Sequence, residues 1–470
     1  MSTSGTHLQQ SGVTCMRWGQ KSRKRSAVPN AWQDVRDEVT GLLPYAPFLH
    51  RCGDAVTARG DAGDPAVLLV DLEGVAEAVA SDEHRASDEL LRTVASRVAR
   101  EVGSNGVLAR VSDHQLGVLF PTLPAPAMAL DLAYRIVSAV STPVVLTSQR
   151  RVQLSSSCGL VTWDSMGASA TAADLLRGAG LALREARRAG RNRIEVCTAD
   201  LIAVADETLA IGKNLRQALQ DQGLRVCYQP LVDLTDGSVI GFEALVRWSH
   251  PVHGQVSPSR FVPVAEEFGL ISELGRMVLS TATAQIQQWS STFRVPLTAH
   301  VNVSGLDLAS DAFVGMVGET LASSGLPSDQ LVLEFTESVV EPGLDVAQTR
   351  FESLHGLGVR VAIDDFGTGR SALAYLQDLD VDILKVDRSY VEADDDQAAD
   401  DLLRGVIALG QALGMAVYGE GVEDEAQRDR LERNGCHIGQ GYLFERPLPA
   451  EDAAAYLREQ MAPAAVSALG

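Results

Sequence analysis

Between about residue 206 and residue 450, eight short apolar segments recur, separated by stretches with helical spacing. They are Arg225–Pro230, Ile240–Val246, Ala299–Val303, Leu331–Thr336, Arg360–Ile363, Ile383–Val386, Ala416–Gly419 and Ile438–Phe444. This alternation is the most restrictive feature of the chain, because parallel strands can only be joined through long crossovers, usually helices. Eight repeats within roughly 250 residues have the length and rhythm of a closed (β/α)8 TIM barrel. The expected fold class is therefore α/β for a C-terminal domain at residues 206–460.

The 470 residues exceed what one hydrophobic core usually organises. Ahead of the barrel, residues 32–200 alternate helix and strand on a shorter scale and predict a separate α+β domain. Ala66–Asp71, Leu116–Phe120 and Val152–Val161 read as strands. Glu89–Val102 reads as a helix with Leu90, Leu91, Val94, Val98 and Val102 on one face. The arginine-rich stretch Arg184–Arg193 closes this region. Residues 1–31, rich in Ser, Gly, Thr and Gln and without periodicity, are expected to be a disordered tail. Its basic residues (Arg17, Lys21, Arg23, Lys24, Arg25) precede no apolar run, so it is not a signal peptide and would hold anionic lipid weakly.

The ends of the barrel strands carry an unusual load. Glu243 lies in FEALVRW, Asn302 in HVNVS and Glu334 in LVLEFTES. Asp364 and Asp365 follow VAI, Lys385 and Asp387 lie in ILKVD, Glu420 in YGEGVE and Gln440 in IGQGY. In a TIM barrel such positions converge on the C-terminal mouth. A single acid at a strand end is usually a helix cap or a solvated loop residue. Acids on successive strand ends repel one another and need cations. Oxygen ligands without Cys or His suit Mg²⁺ or Mn²⁺. An adjacent pair such as Asp364–Asp365 can serve two ions, the arrangement that stabilises the attacking and leaving oxygens of an in-line phosphoryl displacement.

Charge and cysteine content narrow the partners. The formal net charge of -21 argues against nucleic acid, which is bound through Lys and Arg. It does not argue against a phosphate substrate held through metal ions. The six cysteines show no C-x-x-C spacing and read as reduced packing residues. No apolar run reaches the length of a membrane span, and the expected location is cytoplasmic.

The ordered motifs EALVRW, VNVS, LEFTES, IDDFGTG, LKVD, EGVE and QGYLFERP resemble the EAL family of cyclic di-GMP phosphodiesterases over about residues 206–450. The resemblance implies a modified TIM barrel with one antiparallel strand. It implies hydrolysis of cyclic di-GMP to linear pGpG with two Mg²⁺ or Mn²⁺ ions. It assigns Glu243, Asn302, Glu334, Asp364, Asp365 and Glu420 as metal ligands. Lys385, Glu420, Gln440 and Glu337 would be the catalytic set: Lys385 and Gln440 around the attacking water, Glu337 bracing the Asp365–Ser371 loop. Arg247, Gln229 and Asp387 would contact substrate, Arg247 at a phosphate and Gln229 at a guanine. Trp248 and Phe366 read instead as core residues. Arg370 and Ala372 stand where the family usually has Tyr and Ser, Gly419 where it has Ala, and Asp424 where it has Thr. None of these removes a metal ligand. A homodimer is also implied.

Residues 36–195 resemble a GGDEF diguanylate cyclase domain more weakly, through VTGLLPYAPFL, VDLEGV, ARVSDHQLGVL and LALREARRAGRNR. Ser112-Asp113-His114-Gln115-Leu116 replaces the signature, whose two glycines let backbone approach phosphates. The guanine-binding Asn maps to Val79 and its neighbouring Asp to Ala80. The inhibitory RxxD maps to Gly103 and Gly106. Asp71 and Glu73 remain as acids of the metal site. Apolar residues at base-reading positions leave a base's hydrogen bonds unmade. The expectation is a phosphodiesterase with a degenerate, catalytically silent GGDEF-like domain that regulates, dimerises or docks a partner protein. The alternatives are a non-catalytic cyclic di-GMP receptor or adaptor, which the complete ligand set disfavours, and a bifunctional enzyme, which SDHQL disfavours.

Overall fold

The computed structural model describes residues 35–60, 63–75, 84–123, 125–167, 169–221, 223–250, 254–367, 376–377, 379–392 and 397–461. The tail, Val79, Ala80, Arg370 and Ala372 lie outside these residues. The chain divides into two units, Met1–Asp206 and Glu207–Gly470.

The first unit is a six-stranded sheet in the order Leu43–Pro44, Val107–Ser112, Gln115–Leu123, Asp64–Glu73, Ser155–Thr162 and Ile194–Val196. The central strand Asp64–Glu73 is almost entirely buried, as its apolar run requires. Helices cover both faces, forming one core around Leu68, Leu90, Val94 and Ile136 and another around Phe48, Leu119, Leu175 and Leu183. The helix expected at Glu89–Val102 begins earlier, at His84. The strand expected at Val152–Val161 is two strands. Arg151–Val152 pairs with Val144–Val145 in a small ribbon, and Ser155–Thr162 joins the main sheet. Gln149, at φ 63°, closes that ribbon and diverts the chain from the longer strand. The five described cysteines are buried and unpaired, and burial pushes Cys52, Cys158 and Cys436 up to about 12.

The second unit is the barrel. Its strands are β1 (Leu224–Asp233), β2 (Val239–His250), β3 (Thr298–Asn302), β4 (Leu331–Thr336), β5 (Arg360–Phe366), β6 (Ile383–Val386), β7 (Ala416–Gly419) and β8 (Ile438–Gly439). From β2 to β8 each strand is parallel to the next. β1 closes the ring antiparallel to both β2 and β8. This is the modified barrel that the motifs imply. The last strand stops sooner than Phe444. Beyond Gly439 the chain turns to bond the loop after β7: Val422 N donates to the Gln440 carbonyl (3.0 Å) and Leu443 N to the Val422 carbonyl (2.9 Å). A Cβ at Gly441 would meet Val422 O at 2.0 Å, so only glycine allows that approach.

Pleating and stagger sort the inward side chains into levels drawn from alternate strands. With the observed registers, Gln229, Asn302, Asp364 and Glu420 form the uppermost level, and Glu243, Glu334, Lys385 and Gln440 the next. Below them lie Leu231, His300, Ala362 and Tyr418, then Gly241, Val332, Ile383 and Ile438. Leu231, Val332, Ala362, Ile383 and Tyr418 pack as one apolar cluster. The barrel is thus charged at its mouth and largely apolar beneath, where His300, Thr298 and the Tyr418 hydroxyl bring polar atoms into the lower half.

Candidate active site

Lys385 is the centre of the mouth. It is fully buried on β6, a position a lysine occupies only when its charge is met. Its Nζ lies 2.5 Å from Glu420 Oε1, 2.8 Å from Glu334 Oε2, 3.3 Å from Asp364 Oδ1 and 4.0 Å from Glu243 Oε2. Burial works against its charge, but Asp364, Glu243, Glu334 and Glu420 outweigh it and hold the ammonium well above the ordinary lysine range. One cation does not balance four carboxylates. Burial lifts Glu243 and Glu420 above the usual carboxylate range against the pull of Lys385, and pushes Glu334 up to about 7.

Two amides tie the levels together. Asn302 Nδ2, from β3, donates to Glu243 Oε1 (2.6 Å). Gln440 Nε2 donates to Glu243 Oε2 (2.6 Å) and to Gln229 Oε1 (3.0 Å), while Gln229 Nε2 donates to the Glu445 carbonyl (3.1 Å). The Gln440 amide oxygen is buried and has no hydrogen-bond partner among the described residues.

Adjacent residues on a flat strand point to opposite faces, so Asp364 and Asp365 need a special backbone to share one site. β5 supplies it. Its register against β6 slips between Ile363 and Phe366, a bulge, and Asp365 sits at φ 54°. That left-handed conformation is rare outside glycine, although Asp tolerates it better than most. The bulge brings ligand oxygens of Asp364, Asp365 and Glu420 within 4.8 Å of one another. Burial, and Asp364 beside it, push Asp365 to about 6. An all-oxygen cluster with surplus negative charge and an unsatisfied amide oxygen fits a hard divalent cation.

A cavity of about 290 Å³ opens over this cluster, lined by Gln229, Glu243, Asp365, Asp387, Glu420 and Gln440 among others. Arg388, Glu423 and Tyr442 also line it and were not singled out in the sequence; each follows a motif acid or amide within a few residues. Asp387 doubles as the cap of a short helix, accepting from Ser389 N (3.0 Å). Glu337 is buried beside the chain leaving β5 and accepts from Gly367 N (3.2 Å). Arg247 lies farther along β2 on the face of Glu243, because that strand continues to His250. It is half-buried and donates to the Val246 carbonyl (2.9 Å). Trp248 and Phe366 are core residues.

His300 was overlooked in sequence, although it is two residues before Asn302 and so on the same face of β3. It is fully buried, with Nδ1 2.8 Å from Glu334 Oε1 and Nε2 3.1 Å from Thr298 Oγ1. Burial first, and Lys385 next, hold its imidazole down at about 3, so it is neutral.

In the first unit the surviving acids are already matched. Asp71 is paired with the Arg187 guanidinium, whose Nε lies 2.8 Å away. Glu73 accepts from Ser157 Oγ (2.5 Å) and Ser155 Oγ (3.1 Å). Asp113 and His114 form the tip of the hairpin joining the two strands, with Ser112 opposite Gln115.

Family comparison agrees with this division. The EAL domain family matches residues 213–447, and the diguanylate cyclase GGDEF domain family matches residues 35–193. A bifunctional diguanylate cyclase/cyclic di-GMP phosphodiesterase of Pseudomonas aeruginosa, MucR, is 37% identical over 389 residues, 82% of this chain and 56% of that one. The cyclic di-GMP phosphodiesterase NbdA of the same organism is 35% identical over 394 residues, 84% of this chain and 50% of its own. The chain thus spans about half the length of these curated relatives. A solved structure of the PaMucR phosphodiesterase in complex with c-di-GMP is 40% identical, with a TM-score of 0.50, over 52% of this chain and 99% of that one. Among the described residues no helix is long and apolar enough to cross a membrane. On its motifs, its closed barrel with one antiparallel strand and these matches, the chain belongs to the EAL domain family, with a GGDEF domain preceding the barrel.

Proposed function

We propose that the barrel hydrolyses cyclic di-GMP to linear pGpG at a site for two divalent ions, Mg²⁺ or Mn²⁺. The observation that carries this reading is the convergence of Glu243, Asn302, Glu334, Asp364, Asp365 and Glu420 on one mouth, where, among the described residues, Lys385 is the cation paired with four of their five carboxylates. Those six residues would hold the ions, which when bound supply Lewis-acid stabilisation of phosphoryl charge and ease deprotonation of water. The remaining residues position. The Lys385 ammonium, fixed by its carboxylates, faces the place where a phosphoryl oxygen or the attacking water sits. The open acceptor on Gln440 orients that water through its proton. Water's oxygen bonds to one phosphorus, the P–O3′ bond breaks, and the 3′-hydroxyl leaves with a proton.

Gln229 would serve the substrate guanine and, through its bond to Gln440, the water as well. Arg247 and Asp387 would contact the nucleotide from the rim. Glu337 braces the start of the Asp365–Ser371 loop through Gly367. The first unit reads as catalytically silent, acting in regulation, in dimerisation or as the docking surface for a partner protein. Its support is that Arg187 engages Asp71 and two serine hydroxyls engage Glu73, which leaves one uncompensated carboxylate charge, against four in the barrel.

The test is incubation of purified protein with cyclic di-GMP and either metal, with chromatographic separation of nucleotides. The expected product is pGpG, lost in excess EDTA and inhibited by Ca²⁺, whose longer and looser coordination misplaces the reacting atoms. Activity undiminished by EDTA would reject the metal mechanism. Tight binding without turnover would make the chain a receptor. Cyclic di-GMP formed from GTP would reject the silent reading of the first unit.

A further inference from the structure

We propose that His300 is a positioning residue for Glu334, and that Thr298 sets the ring so that Nδ1 presents its proton to that carboxylate. The inference rests on the reading of Glu334 as a metal ligand and concerns how that ligand is held.

His300 lies in a level with Leu231, Ala362 and Tyr418, with its ring centroid 5.8 Å from that of Tyr418. A buried imidazole in such a layer is costly unless both nitrogens are satisfied. Both are. Nδ1 lies 2.8 Å from Glu334 Oε1, and Nε2 lies 3.1 Å from Thr298 Oγ1. A carboxylate only accepts, so Nδ1 must donate to it. Nε2 meets the Thr298 hydroxyl, which also lies 3.3 Å from the Ile240 carbonyl and is thereby held in place against the ring. The three residues form a hydrogen-bonded chain of hydroxyl, imidazole and carboxylate, rising through the barrel from below the site to its ligand level.

The fold makes room for this chain. Thr298 opens β3, and its hydroxyl sits where neighbouring β2 carries Gly241. A Cβ at Gly241 would meet Thr298 Oγ1 at 2.0 Å, so any side chain there displaces the hydroxyl. Glu334 is held from two sides, with Oε1 accepting from His300 and Oε2 from Lys385 (2.8 Å). Each oxygen keeps a lone pair for a cation. Lys385 is shared among four carboxylates and cannot fix the rotation of one of them. His300 contacts Glu334 alone among those four and so determines its orientation. Such outer partners commonly change metal affinity by about 10–100-fold when removed.

The test measures Mn²⁺ binding by calorimetry, without substrate, in the full chain, alongside thermal unfolding in EDTA. His300→Phe keeps a flat ring but removes the donor. It should weaken Mn²⁺ binding by about 10–100-fold, with metal-free unfolding within a few degrees of the parent. Thr298→Val should weaken it several-fold and Thr298→Ser should restore it. The double variant His300→Phe/Thr298→Val should be no worse than His300→Phe, because the two act in series. Parent-like Mn²⁺ affinity in folded His300→Phe overturns the proposal while leaving the metal site standing. If His300→Phe does not fold, the Thr298 pair decides: equal affinity in the Val and Ser variants overturns it. A parent protein that binds no Mn²⁺ overturns both this proposal and the metal-site reading beneath it.

Discussion

Both units bury carboxylates on or just beyond a sheet strand, but they neutralise them differently. In the first unit Asp71 is matched by Arg187, and Glu73 is met by two serine hydroxyls. In the barrel Glu243, Glu334, Asp364 and Glu420 share Lys385, and Asp365 adds a fifth acid from its bulge. In the first arrangement one ion pair is closed and a single carboxylate, Glu73, is met by neutral donors. The second is short of positive charge, and its acids respond by holding protons more tightly than usual. On the reading proposed above, the amount of surplus charge, rather than the presence of acids, separates the two sites.

The strongest way to break this contrast is to remove a surplus acid. Glu243→Ala should lower pGpG formation by more than about 1,000-fold, since a lost ligand removes an ion on which transition-state charge depends. Its metal-free fold should survive, because deleting one of several crowded carboxylates relieves repulsion. Chromatography of the nucleotides and circular dichroism in EDTA check both halves. Near-normal turnover would mean that the metal site is wrongly assigned.

Removing the shared cation should have the opposite effect on the fold. Lys385→Met leaves buried acids without their counter-charge and should cost about 3–5 kcal/mol at pH 8 in EDTA. The loss should shrink toward pH 6 as the acids take up protons. Denaturant titrations at the two pH values measure it. An unchanged midpoint at pH 8 would show that the carboxylates are not held charged by Lys385.

The parent protein sharpens the same point with a smaller effect. Glu334 is raised to about 7 and Asp365 to about 6 in the metal-free fold, above the unfolded carboxylate range. Between pH 8 and pH 6 the folded state therefore binds more protons than the unfolded chain, and stability rises as pH falls, by about 2 kcal/mol. With saturating Mn²⁺ the trend should reverse, because protons then compete with the ion for these oxygens. Unfolding curves at both pH values, with EDTA or with Mn²⁺, distinguish the two slopes.

Much of the barrel was legible because parallel strands buried on both faces leave uninterrupted apolar runs. Leu331–Thr336, Ile383–Val386 and Ala416–Gly419 match their expected bounds. The miss at Ile438–Phe444 has a local cause: Gly439-Gln440-Gly441 lets the chain leave the sheet, and apolar residues beyond it pack in the turn instead. Within the site, strand-end acids announced themselves by type and spacing. The bulge at Asp365 did not, because a conformation at φ 54° leaves no mark on composition. His300 was hidden for another reason. One histidine in HVNVS has no pattern, and its meaning depends on Glu334 and Thr298, one on the next strand and one at the foot of its own. Arg187 was equally silent among five nearby arginines until Asp71 was placed against it.

That last pair gives the smallest expected effect and tests the locked side of the contrast. Arg187→Met removes the guanidinium that meets Asp71, whose side chain is only 12% exposed. Arg187 itself is 43% exposed, so solvent already shares the work, and the cost should be about 1 kcal/mol. What matters is how the variant answers metal. A ligand that binds only the folded state raises stability in proportion to its occupancy. If Asp71 and Glu73 are a remnant, freeing Asp71 creates no metal site, because Glu73 remains committed to Ser155 and Ser157. The gain in unfolding temperature from Mn²⁺, which the barrel provides, should then be the same with and without Arg187. GTP should shift neither protein, and neither should convert it. An extra Mn²⁺-dependent gain confined to Arg187→Met would mean that the guanidinium stands in for a cation, and that the first unit keeps a metal site one substitution away from use.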